Sequence, residues 1–124
     1  MTNIAMLPVN DPIRIDVQRL EQIVRELGQD RAAQVIGTAL EELAVALRRT
    51  LQAAQQGDLG TVVSFADKLS RLAWQVGLVS LAGVAVDVGA CAELRDRIAL
   101  AATAARLGRI GNRSLTRLWD EESR

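Results

Sequence analysis

Apolar residues recur along most of the chain at steps of three and four, the period of an amphipathic helix. Val17, Leu20, Ile23, Val24 and Leu27 form a first stripe, with Asp16 placed to cap it and Gly28 to end it. A second helix is predicted from near Asp30. Its buried face carries Ile36, Leu40, Leu43, Leu47, Leu51 and Ala54, with Glu41, Arg48 and Gln52 outward, and Gln56-Gly57-Asp58 supplies a stop and a new cap. The third helix, Asp58 to Val76, repeats Leu59, Val62, Ala66, Leu69, Ala73 and Val76 on its inner side and closes at Gly77.

A fourth helix, Val79 to Leu94, is apolar nearly all round, with Asp87 the main exception. Such a helix is either deeply buried or packed against a partner chain, which makes a homodimer through it one expectation. Asp96 can cap a fifth helix reaching Glu121, with Leu100, Ala104, Leu107, Gly111, Leu115 and Leu118 inward. Gly108 and Gly111 weaken it enough for a break there. No stretch alternates apolar and polar as a strand does. The predicted fold is all-α: an up-and-down four-helix bundle with an additional short N-terminal helix. Residues 1–15 contain Pro8 and Pro12, have no helical period and are apolar at Ile4, Met6, Leu7, Val9, Ile13 and Ile15. They are expected as an N-terminal extension lying along a bundle made by residues 16–124.

Composition narrows the chemistry. The 124 residues suit one domain. Phe65, Trp74 and Trp119 are the only aromatics, so the core is aliphatic. Fifteen basic and fifteen acidic residues cancel, which recommends neither nucleic acid nor a strongly charged partner. Val76–Ala92 is short for a membrane span, is interrupted by glycines and holds Asp87, which in lipid would cost about 3 kcal/mol. No basic start and apolar run marks a signal peptide, and Cys91 stands alone, so a reducing cytoplasm is expected.

The sequence contains no histidine. It therefore lacks the commonest proton shuttle at neutral pH and the ligands of an ordinary zinc or di-iron site. No glycine-rich phosphate loop precedes a helix. Cys91 sits in an apolar stretch, where a thiol is normally inert. Neither catalysis nor a cofactor or metal is expected.

Residues 66–77 read Ala-Asp-Lys-Leu-Ser-Arg-Leu-Ala-Trp-Gln-Val-Gly. This resembles the signature of histidine-containing phosphotransfer (Hpt) domains, A-H-x-L-K-G-S-A-x-x-L-G, with Ala66, Leu69, Ala73, Val76 and Gly77 at matching or near-matching places. The helix order from Leu20 to Trp119 is similar as well. The departures fall on the chemistry: Asp67 stands at the phospho-histidine position, Ser70 at the lysine and Arg71 at the glycine. The resemblance implies a degenerate member in a bacterial phosphorelay setting, one that binds a receiver domain or another signalling partner without passing phosphate. The alternative is a structural or dimerisation bundle that kept the fold and lost receiver binding.

A helical projection puts Asp67 about 120° from the inner stripe, hence exposed, with Val63, Ser64, Ser70, Arg71 and Trp74 on its face as the candidate docking residues. Asp67 and Arg71 form an i, i+4 acid–base pair. Two placements of Trp74 are open: an exposed interface anchor, or a lid folded over the core beside its helix.

Overall fold

A computed structural model describes residues 12–122. Five helices account for 87% of it, and among the described residues there is no strand. They are α1 (Val17–Leu27), α2 (Gln29–Gln56), α3 (Leu59–Gln75), α4 (Val79–Glu93) and α5 (Arg97–Glu122). The expected all-α, up-and-down bundle is the observed one. Helices α2 to α5 pack in a closed ring, each against its two neighbours, and α1 leans on α2.

The local signals explain the boundaries. The carboxylates of Asp16, Asp58 and Asp96 each accept the backbone N–H three residues on, the N-cap arrangement that satisfies an orphan donor at a helix start. Gly28, Gly57 and Gly77 take positive φ where α1, α2 and α3 end. Helix α2 begins one residue before the expected Asp30, with Gly28 as its cap and no side chain serving it. Helix α5 runs unbroken through Gly108 and Gly111. The glycines do not break it because α2 presses on them: a Cβ at Gly111 would lie 2.6 Å from Leu47 Cδ2.

The core is aliphatic, as composition required. Val62, Ala66, Leu69 and Ala73 of α3 meet Leu81, Ala82, Ala85 and Val88 of α4, with Leu43 and Leu47 of α2 and Leu107, Ile110 and Leu118 of α5 closing the ring. The buried face of α2 is rotated from the expected one. Ala46, Thr50 and Ala53 lie fully inside, whereas Leu40, Leu51 and Ala54 pack at the core's edge. Thr50 turns its hydroxyl back to donate to the Ala46 carbonyl at 2.7 Å, so it buries no unpaired polar atom.

The N-terminal extension expected over residues 1–15 lies outside the described residues up to residue 11. In its last part Ile13 and Ile15 pack against the core. This segment is tied to the α3–α4 turn. Asp16 N–H donates to the Gly77 carbonyl at 2.7 Å, Arg14 N–H to Ser80 Oγ at 2.7 Å, and Ser80 N–H to the Arg14 carbonyl at 3.3 Å. Arg19 Nε adds a bond to the Gln75 carbonyl at 2.9 Å. Among the described residues no helix is long and apolar enough to cross a membrane.

Candidate functional site

The candidate residues lie on α3 because its apolar stripe fixes which way the helix faces. Leu59, Val62, Ala66, Leu69 and Ala73 are buried, so Asp67 points out from the middle of the helix with its side chain 65% exposed. Arg71, one turn on, is equally open. Its Nε lies 3.1 Å from Asp67 Oδ2, the pairing expected from the i, i+4 spacing. Ser64 is exposed and Val63 half-buried beside them. Trp74 is 54% exposed, so much of the indole stands on the surface.

Ser70 departs from the expectation. The helical projection sets it on the docking face, yet it is buried, with its hydroxyl donating to the Asp67 carbonyl at 2.8 Å. The reason is the closeness of α4. Ala82, Ala85 and Gly89 carry almost no side chain, and a Cβ on Gly89 would stand only 3.6 Å from Ala66 Cβ. The fourth helix therefore rides up the flank of α3 and covers Ser70. The outward face that remains is Val63, Ser64, Asp67, Arg71 and Trp74.

The other flank of α3 faces α2. There the Arg49 guanidinium lies 5.7 Å over the Phe65 ring, a cation–π contact at the edge of the core. Open grooves of about 600 and 840 Å³ lie along α1 and α2, and neither includes Asp67, Arg71 or Trp74. An exposed indole beside a paired charge suits a protein partner better than a small molecule.

Among the described residues no three His, Cys, Asp or Glu side chains come together, so no acidic cluster stands ready to hold a magnesium ion beside the Asp67 carboxylate. The cation nearest that carboxylate, Arg71, is already engaged with it. Cys91 is half-buried against Thr103, with Sγ and Oγ1 3.7 Å apart, away from this face. Sequence reasoning did not single out one exposed apolar residue. Val86 on α4 is 54% exposed. The signal for it was the all-round apolar character of α4, which left apolar residues on the outer side whatever the inner side buried.

The five-helix bundle has the fold of histidine-containing phosphotransfer proteins. The chain is similar to the crystal structure of histidine-containing phosphotransfer protein B (HptB) from Pseudomonas aeruginosa PAO1, with a TM-score of 0.79 and 19% sequence identity. The match covers 88% of this chain and 94% of that one. No family model matches the sequence, and no curated protein matches it either.

Proposed function

We propose that the protein is a signalling module of the histidine-containing phosphotransfer fold that binds a receiver domain, or another signalling partner, without carrying phosphate. The observation that supports this most is Asp67. It occupies the exposed mid-helix position where the resemblance places the phosphorylated histidine, and the whole chain has no histidine to replace it. A carboxylate cannot form phosphohistidine. What survives is a surface: an indole that supplies apolar contact area, and a carboxylate–guanidinium pair that supplies register. In this reading the protein is not an enzyme. It sequesters its partner or serves as an adaptor.

The test has two readouts. Incubation with a phosphorylated receiver domain or an autophosphorylating histidine kinase should leave the chain unlabelled, and the receiver should bind in a titration followed by calorimetry. Label on this chain overturns the carrier-free reading. Absence of binding across the receiver domains encoded in the same genome overturns the docking reading. It would leave a structural or dimerisation bundle, which the apolar outer side of α4 favours.

A further inference from the structure

Helix α1 is the least anchored of the five. It has 11 residues, too few for an isolated helix to hold its shape in water, so packing must hold it. Yet only Leu20 and Ile23 of those residues are buried, and Val17, at the head of the apolar stripe, is 44% exposed. Leu20 joins the core that α2 to α5 share. Ile23 is buried outside that core, as is Ala32 at the start of α2. Open grooves run along both flanks of α1. Its Ile23 and Leu27 line one with Val35 and Leu72, and its Leu20 and Val24 line the other with Ala32 and Leu118. The helix therefore meets α2 along a narrow seam.

Its two ends are held differently. At the C-terminal end the chain passes into α2 through Gly28, at φ of +81°. No side chain caps α2 there, and a Cβ at Gly28 would meet nothing within 4 Å. Such a glycine rotates with little steric hindrance. The N-terminal end is tied to the α3–α4 turn by the Asp16–Gly77 bond, the Arg14–Ser80 pair and the Arg19 Nε bond to the Gln75 carbonyl. The Arg14 and Arg19 bonds are solvent-exposed, so water can replace them at small net cost. An open hinge, exposed ties and little buried apolar area are the marks of a segment that opens well below global unfolding.

We propose that α1 is a strap. It swings off the four-helix ring as one unit about Gly28, while α2 to α5 stay folded around their own core. Opening uncovers the apolar start of α2, Ala32 and Ile36, which line the groove shared with Val17, Leu20 and Val24. Closed, Ala32 is 1% exposed. The ties at the α3–α4 turn thus gate a surface that the closed form hides, whether or not a receiver docks on α3.

Thiol labelling by a maleimide tests this, in full-length chains that also carry Cys91→Ser. In Ala32→Cys the thiol lies beneath the strap. In Ala53→Cys it lies on the same helix but inside the ring, at a position 3% exposed. Ala32→Cys should label at least about a hundredfold faster, with a rate nearly independent of low urea, whereas labelling of Ala53→Cys should climb with urea as global unfolding does. Equal rates with equal urea dependence overturn the proposal, because α1 then opens only with the whole chain. Adding Arg19→Met, which removes the bond to Gln75, should speed labelling of Ala32→Cys at least about threefold, and Gln52→Met, at an exposed site on α2, should leave it unchanged. An unchanged rate in Arg19→Met overturns the gating by the turn. Hydrogen exchange of the unaltered chain is the second readout, free of any packing change at residue 32. The amides of Glu21 to Gly28 should share one opening equilibrium, well above that of α3. A steady gradient along α1 overturns the strap, because it marks fraying from one end.

Discussion

Gly77 and Asp16 touch so closely that no side chain fits between them. The Asp16 N–H donates to the Gly77 carbonyl at 2.7 Å, and a Cβ on Gly77 would stand 2.7 Å from the Asp16 carbonyl oxygen. Gly77 also takes φ of +77°, a conformation that other residues adopt only with strain. One glycine thus ends α3, turns the chain into α4 and accepts the segment that leads into α1.

Gly77→Ala should therefore be costly. The positive φ alone disfavours a Cβ by about 1 kcal/mol or more. The clash is with backbone, so the leading segment must also move and lose the Asp16 bond. A loss of about 2 kcal/mol or more in denaturant unfolding is expected, together with faster proteolysis before Asp16. A change under about 0.5 kcal/mol would show that the segment is held by its side chains alone.

Two other glycines should respond with opposite signs. Gly37 lies mid-α2 with nothing within 4 Å of a Cβ, so Gly37→Ala gains helix propensity and should stabilise by up to about 1 kcal/mol. At Gly111 a Cβ would meet both methyl carbons of the buried Leu47, at 2.6 and 2.9 Å. Overpacking of this kind costs about 1–3 kcal/mol, which outweighs the same propensity gain. Gly111→Ala should lower the melting temperature while Gly37→Ala raises it. The pair of melting curves is the check.

Trp74→Ala should separate stability from binding. With the indole on the surface, folding stability should move by no more than about 0.5 kcal/mol. Affinity for a receiver that binds the wild-type chain should fall roughly thirtyfold, the effect of removing a 2 kcal/mol anchor. Asp67→Ala should do less to both, because its ion pair with Arg71 is solvent-exposed and worth at most a few tenths of a kcal/mol. Unchanged affinity for Trp74→Ala would remove the centre of the proposed docking face.

Asp67→His tests whether the surface can still transfer phosphate. The single variant should accept little label from a phosphorylated receiver. Arg71 reaches position 67 from one turn on and would crowd the imidazole as it now contacts the carboxylate. Asp67→His with Arg71→Gly should accept label at least about tenfold faster, a difference of 1.4 kcal/mol in barrier. Equal rates for the two variants would show that Arg71 is no obstacle.

The helices, their caps and their order are legible in the sequence because each is set by local chemistry. Asp16, Asp58 and Asp96 accept the N–H groups that their positions predict, and the stripe on α3 buries the residues that its period selects. The outward placement of Asp67 and its pairing with Arg71 follow from the same period, since both residues belong to one helix. Whatever depends on two elements meeting was decided by tertiary structure. Ser70 is buried because small residues let α4 approach α3, a distance that no single-helix projection contains. Trp74 remains exposed because no neighbouring helix reaches over it. Helix α5 stays continuous through its glycines because Leu47 of α2 packs against Gly111. The clamp between Asp16 and Gly77 joins residues far apart in the chain through backbone atoms, and backbone hydrogen bonds between distant segments leave no mark in residue periodicity.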